Sequence, residues 1–379
     1  MLDAQALRQR MVAGLAERGE LDQRWRAAFS EVPRHAFIPE LVWCQDRDVA
    51  GDCDLVPLHR AEDPQRWLEL AYANASVCTQ VDDGHPASES GCGFEVTSSA
   101  SMPAVVAQML GALEVEPGMR VLEIGTGTGY NAALLAHRLG AHRIVSVEID
   151  PDVAEHARRA LTAAGYGSVT VITGDGADGY PPGVPYDRVI ATAAAAEVPY
   201  AWVAQTRAGG LVLTPWGSAY YPGGLLTLRV DRDGTATGRI VGPASFMWLR
   251  GQRIPRYTLD RIRRRDEGAT VSITDLHPGQ VASDPNAATA IGLRVPWCEN
   301  FYHAESSHTG ALYLVDQRSR SWATLHLTTD PPYAVRQYGQ RKLWDEVETA
   351  YRWWVDVGAP PVDAWRFTVT PSGQRIELC

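Results

Sequence analysis

The sequence predicts a doubly wound, Rossmann-like α/β core followed by an α+β extension, and three observations carry that reading. Between residues 121 and 217 short β-branched runs alternate with helical segments, the pattern of parallel strands joined by crossover helices. The stretch "VLEIGTGTGYNAALLA" (121–136) is an apolar strand, a loop with glycine at alternate positions and then a helix. After about residue 235 the order changes to a run of strands and one long helix, which marks a separate unit. Residues 1–235 are thus expected to form one domain, in parts 1–45, 46–100 and 101–235, and residues 236–379 a second.

Residues 1–45 read as helical, ending in "VPRHAFIPELVW", and 46–100 as irregular, with "DDGHPASESGCG" (82–93) the least structured piece. "SMPAVVAQMLGAL" (101–113) predicts a helix started by Ser and Pro, and "EPGMR" turns into the strand "VLEIG". There follow a helix at 129–140, strand "RIVSVEI", a helix at 151–164, strands "VTVITG" and "YDRVIATAA", a short helix near 199–207, and "GGLVLTPWG". Beyond 235 the candidate strands are "TVSITDL", "TAIGLRV", "ALYLVDQ", "SWATLHLT" and "YAVRQYG". In the helix "QRKLWDEVETAYRWWVDVG", Trp344, Val347, Tyr351 and Trp354 share one face, as a core stripe rather than a peptide groove. "WRFTVTPSGQRIEL" closes the chain as two strands around a turn.

At 379 residues and 45% hydrophobic, the chain can bury a large core. It shows neither an apolar run of membrane-spanning length nor a signal peptide's apolar centre, so a cytoplasmic protein is expected. The six cysteines form no C-x-x-C pair, and His303 and His308 in "YHAESSH" are poorly spaced for a metal, so none is expected. A net charge of −10 argues against a nucleic-acid binder. Only Lys342 among the 35 basic residues is a lysine, a composition effect.

The glycine loop lacks the Walker lysine, and its Gly125, Gly127 and Gly129 are spaced more tightly than a dinucleotide fingerprint. A compact amino-acid moiety fits such a loop better than a pyrophosphate does. Glu123 precedes it. Glu148, in "SVEID", stands where a carboxylate can accept both ribose hydroxyls. Asp175 can accept from an adenine amine while Gly176 leaves room for the ring. Three such elements at successive strand ends make an S-adenosylmethionine pocket. The expected cofactor set is Glu123, Gly125, Thr126, Gly127, Thr128, Gly129, Tyr130, Glu148, Ile149, Asp175, Gly176 and Thr192, with S-adenosylhomocysteine as product. The core is then a class I methyltransferase.

"VPRHAFIP" (32–39), "AYANASVCTQ" (71–80), "SASMPAVVAQM" (99–109), "VLEIGTGTGY", "GDGADGYP", "PYDRVIATAAAAEVP" and "AGGLVLTPWG" together resemble the protein-L-isoaspartate O-methyltransferase family over residues 32–217. The resemblance implies methylation of a peptide carboxylate, a nucleophile already anionic at neutral pH. It carries the family's acceptor-side serine over to Ser101, and its threonine becomes Ser99. Ser101 also stands where a helix N-cap would, and capping alone is the other reading. His35 reads as structural.

Three features depart from a repair enzyme: the long 81–96 loop, the extension beyond 235, and seven arginines between Arg250 and Arg265 in "WLRGQRIPRYTLDRIRRRDEG". That cluster (Arg250, Arg253, Arg256, Arg261, Arg263, Arg264, Arg265) is either a solvated linker or a docking patch for an acidic peptide. "TSSASMP" and the ending "RWWVDVGAP…TVTPSGQRIEL" resemble a subgroup that acts on ribosomally made lanthipeptide and graspetide precursors. That resemblance implies methylation of an aspartate side chain in an acidic, macrocyclised peptide by a monomeric enzyme whose C-terminal domain recognises the ring. The product is an aspartimide, or isoaspartate after hydrolysis. The alternative is a repair enzyme for isoaspartyl proteins. A non-catalytic cofactor-holding module and a small-molecule carboxyl methyltransferase are the remaining readings.

Overall fold

The computed structural model describes residues 3–45, 55–86, 91–221, 223–254, 268–304, 309–328 and 330–379. The chain opens with α1 (Ala4–Glu17), capped by the Asp3 carboxylate, and α2 (Arg26–Glu31). Residues 46–100, expected to be irregular, and residues 41–45, expected to be helical, instead contribute to a four-stranded antiparallel sheet. Its strands are β1 (Leu41–Gln45), β2 (Leu55–His59), β3 (Val77–Val81) and β4 (Val96–Ala100), in the order β2-β1-β3-β4. The helix α3 (Pro64–Tyr72) lies between β2 and β3 in sequence. These strands are five residues long and bury no clean alternate face, so period-two reading misses them.

The central sheet matches the expected doubly wound core. After α4 (Pro103–Ala112) come β5 (Val121–Ile124), α5 (Tyr130–Leu139), β6 (Ile144–Glu148), α6 (Pro151–Ala163), β7 (Thr170–Thr173), β8 (Tyr186–Ala191), α7 (Tyr200–Ala204) and β9 (Thr206–Trp216). Strands β5 to β9 pair in parallel in the order β9-β8-β5-β6-β7. The side chains of β5 divide between two cores: Val121 joins the cluster with α4 and α5, while Leu122 and Ile124 join the opposite one.

The boundary expected at 235 falls inside a hairpin. β10 (Gly224–Val230) and β11 (Ala236–Pro243) extend the same sheet, and β17 (Trp365–Thr370) and β18 (Gly373–Leu378) add to it beyond β11, giving nine strands. Between them lies a five-stranded sheet of β12 (Thr270–Thr274), β13 (Glu299–Ala304), β14 (Gly310–Asp316), β15 (Ser321–His326) and β16 (Tyr333–Tyr338), ordered β12-β16-β15-β14-β13. It accompanies α8 (Pro278–Ala282), α9 (Pro285–Arg294) and α10 (Leu343–Asp356).

"TAIGLRV" is the second half of α9, not a strand. The start signals, an Asp284 cap accepting from Asn286 and Pro285 in the first turn, lie just before that stretch. Trp344, Val347 and Trp354 of α10 are buried in the same cluster as Leu122 and Trp216 of the central sheet and Trp202 of α7. The extension therefore shares one hydrophobic core with the doubly wound unit, and the α10 stripe is core.

Candidate active site

The loop after β5 turns through three glycines with left-handed φ, Gly125 (+87°), Gly127 (+52°) and Gly129 (+86°). At Gly125 a Cβ would stand 2.6 Å from Thr192 Oγ1, which itself donates to the Gly125 and Ile124 carbonyls. Gly129 serves packing, because its Cα faces Ala157 and Leu161 of α6 at 3.3–3.4 Å from where a Cβ would stand. Glu148, at the end of β6, fixes the middle of the loop: Oε2 accepts from the Gly127 amide at 2.8 Å and Oε1 from the Asp150 amide at 3.1 Å. Burial pushes its carboxyl up, and these two amide bonds oppose that.

Gly125, Thr126, Gly127, Thr128, Tyr130, Glu148, Ile149, Asp175, Gly176 and Thr192 all line one cavity, together with Ser99 and Ser101 from the end of β4. Two members of the expected set do not. Gly129 lies behind the loop, and Glu123 is fully buried beneath it. The Glu123 carboxylate accepts from Asn131 Nδ2 at 2.7 Å and from Ser146 Oγ, which is 2.6 Å from Thr126 Oγ1. Glu123 therefore acts on the loop's shape and not on a ligand. Asp175 is exposed at the cavity rim and caps its own turn through Ala177. Gly176 is required by packing as well, since a Cβ would meet Ile124 Cγ2 at 2.4 Å.

A second, larger cleft of about 1200 Å³ adjoins the first. It is bounded by β1, β3, α3 and α4, and it shares Ser99, Ser101, Phe246 and Met247 with the loop cavity. Those four residues form the junction between the two spaces. Ser101 is not a helix cap: Met102 occupies that position without a side-chain bond, and the first-turn amide of Ala104 is satisfied by Asn74 Oδ1 at 3.0 Å. The capping reading of Ser101 is thereby removed.

Residues 80–252 match the family described as Protein-L-isoaspartate(D-aspartate) O-methyltransferase (PCMT). Protein-L-isoaspartate O-methyltransferase 2 of Polaromonas sp. (strain JS666) is 34% identical over 62% of this chain and 90% of its own length. The chain belongs to the protein-L-isoaspartate O-methyltransferase family. The Thermococcus sibiricus member is 42% identical over 64% of this chain and 93% of its own length. A solved protein-L-isoaspartate O-methyltransferase shares the fold with a TM-score of 0.55 at 20% identity, covering 98% of this chain and 99% of the other. The likeness is one of fold alone and runs over nearly the whole chain, extension included.

As a protein-L-isoaspartate O-methyltransferase family member, the chain is an S-adenosylmethionine-dependent protein carboxyl O-methyltransferase. The cavity fits that cofactor: the glycine loop brings backbone alongside, and Glu148 keeps acceptor capacity beyond its two amides. The segment after β11, residues 244–253, crosses the cavity as a strap. Ala194 donates to Met247 at 2.7 Å and accepts from Leu249 at 2.8 Å, and Gln252 Oε1 accepts from the Ala196 amide at 2.8 Å.

Two of the seven clustered arginines belong to this strap. Arg253 pairs with both Asp83 oxygens at 2.8 and 3.2 Å, and Arg250 reaches Asp83 at 3.1 Å and Asp150 at 3.5 Å. They are neither a solvated linker nor a docking patch, because the chain's own carboxylates hold them. Arg256, Arg261, Arg263, Arg264 and Arg265 lie outside the described residues. Burial pushes the Asp150 carboxyl up, but bonds from Gln80, Val153, Asp152 and the nearby Arg250 outweigh it and hold the group below its usual range.

Sequence reasoning assigned no role to Asn131, Ser146, Asp150 or residues 244–249 of the strap. The apolar "FMWL" directly before Arg250 was the available signal for the strap. His35 sits 2.6 Å from the Tyr72 hydroxyl, outside the cavity. His303 lies in β13 and His308 outside the described residues, among which no group of His, Cys, Asp and Glu could hold a metal. Among the same residues no helix is long and apolar enough to cross a membrane.

Proposed function

We propose that this enzyme methylates the free carboxylate of an isoaspartyl residue in a peptide or protein, with S-adenosylmethionine as donor. The observation that carries the reading is the junction of the two cavities at Ser99, Ser101, Phe246 and Met247, in a family member whose relatives bear that activity in their names. The bound cofactor supplies an electrophilic sulfonium methyl. Glu148 would accept from its ribose hydroxyls and Asp175 from its adenine amine, and the 125–129 loop would lie against its amino-acid end. Ser101 would hold one oxygen of the acceptor carboxylate and leave the other free toward the methyl group that the bound cofactor would supply. An ionised carboxylate needs no general base, so the site's work is positioning and exclusion of water.

A second reading, a side-chain aspartate in a macrocyclised ribosomal peptide as acceptor, is favoured by the breadth of the cleft, which exceeds a typical small-molecule pocket. Among the described residues lining that cleft only Glu20 and Arg66 carry charge, so it offers little to an acidic partner. In either reading the enzyme works as a cytoplasmic monomer. Mass spectrometry after incubation with an isoaspartyl peptide and with a cyclised aspartyl peptide decides between them. A 14-Da gain on the isoaspartyl peptide is expected; turnover of the cyclised peptide alone would replace the first reading with the second.

A further inference from the structure

Arg34, in "VPRHAF", is the feature the mechanism has not used. It is fully buried, and no carboxylate faces it among the described residues; only tyrosine hydroxyls, Tyr72 and Tyr130, perturb it electrostatically. Burial lowers it to about 10. A buried cation normally has an anionic partner, because desolvation is otherwise uncompensated. Here backbone carbonyls replace that partner. Nη1 donates to the Ala71 carbonyl, and Nη2 lies within reach of Ala75 at 3.4 Å, Ala100 at 3.1 Å and Ser101 at 3.0 Å.

The last two contacts define a backbone geometry. Along a strand, successive carbonyls alternate in direction, whereas those of Ala100 and Ser101 converge on one guanidinium nitrogen. The two peptide units just after β4 therefore face the same way. In a trans peptide the N–H points opposite the C=O, so the amides of Ser101 and Met102 both point away from Arg34. Neither amide donates to a protein group among the described residues. Ser101 lines both cavities and Met102 the cleft, at the junction already assigned to the acceptor. Successive amides turned to one side form an anion-binding concavity, and a cation behind their carbonyls strengthens them as donors.

We propose that Arg34 is a positioning residue for methyl transfer, aligning the Ser101 and Met102 amides as a donor pair that holds the acceptor carboxylate beside the Ser101 hydroxyl. This rests on the carboxylate-acceptor reading above and names the groups that recognise the anion.

Met102→Pro is the deciding variant. Met102 has φ −56°, within proline's range, so the substitution deletes one amide donor and keeps the Met102 carbonyl that caps α4, while the ring also pushes Ser101 toward extended backbone and further opens the paired-amide geometry. Met102→Ala removes the side chain and keeps the donor. In steady-state assays of the full chain with an isoaspartyl hexapeptide, Met102→Pro is expected to raise the peptide KM by about 10- to 100-fold over Met102→Ala. The S-adenosylmethionine Kd, read by calorimetry, stays unchanged. Arg34→Lys, which keeps the charge but loses the planar fork, is expected to raise the peptide KM with the same unchanged cofactor Kd. A Met102→Pro KM within twofold of Met102→Ala overturns the donor pair. A wild-type chain that leaves the hexapeptide unmethylated while binding cofactor overturns the isoaspartyl reading instead.

Discussion

Glu123→Gln tests whether the carboxylate under the glycine loop is a structural acid. Its side chain is 0% exposed, and burial pushes its carboxyl from an ordinary 4.5 up to about 7, against the bonds from Ser146 and Asn131. Between those two values the folded protein keeps a proton that the unfolded chain has released. Stability therefore falls as pH rises through that window, and the loss is complete above the folded value. The full gap is worth about 3 kcal/mol at about 1.4 kcal/mol per pH unit, of which roughly 2 kcal/mol falls between pH 5.5 and 8. Glutamine stays neutral, can accept from Asn131 and can donate to the Ser146 hydroxyl, so it preserves the network without the titration. Urea unfolding of both proteins at pH 5.5 and at pH 8 measures the difference. The variant is expected to gain about 2 kcal/mol on the wild type across that interval, since other titrating groups cancel in the comparison. Parallel pH profiles for the two proteins would refute the assignment and place the ionised form in the folded state.

Glu148→Ala should weaken S-adenosylmethionine binding by about 1.5–3 kcal/mol through lost ribose bonds, read by calorimetry; unchanged affinity removes Glu148 from the cofactor site. Ser101→Ala should lower methylation while leaving cofactor affinity intact, because the hydroxyl faces the acceptor side; wild-type rates would strip it of that role. Gly125→Ala combines a left-handed φ with a Cβ 2.6 Å from Thr192 Oγ1. It should abolish cofactor binding, and a co-substitution of Thr192 by alanine should restore little, since the φ strain remains. Asp83→Asn releases both strap arginines from a shared carboxylate. These ion pairs are partly solvent-exposed, so the wild-type rate of cofactor release should rise with salt, and the variant's rate should be faster and less salt-dependent, with Arg250–Asp150 and Arg253–Glu95 still in place.

How far the sequence spoke can be read residue by residue. The alternation from Val121 to Trp216 and the spacing of Gly125, Gly127, Glu148 and Asp175 announced the core and its cavity, because strand ends and glycine turns are local properties. The sheet of β1 to β4 stayed hidden because its strands are short and neither face is uniformly buried. "TAIGLRV" misled because so short and mostly apolar a stretch carries no clear period of its own, and its helix signals lay upstream. Glu123 and Glu148 look alike in sequence, each ending or preceding a turn, yet one faces the cavity and the other lies sealed beneath it. Arg34, Arg250 and Arg253 take their meaning from partners 37 to 170 positions away, which no window of sequence contains.

The distribution of charge in the site follows from what the proposed reaction does to charge. A sulfonium cation and a carboxylate anion combine into a neutral ester and a neutral thioether, so the transition state carries less separated charge than the reactants. A water-poor setting therefore favours it over the ground state, and water is the chief competitor for the carboxylate oxygens. Each reactant nevertheless has to be drawn into that setting. Glu148 and Asp150 line the cofactor cavity together with Arg250 and Arg253, which offset their charge, while Arg34 stands behind the acceptor side with no carboxylate of its own among the described residues. Were Arg34 paired with an aspartate, its field at the acceptor would be cancelled and the backbone carbonyls released. The absence of that partner among the described residues, costly for folding, is what leaves the end of β4 able to face an anion.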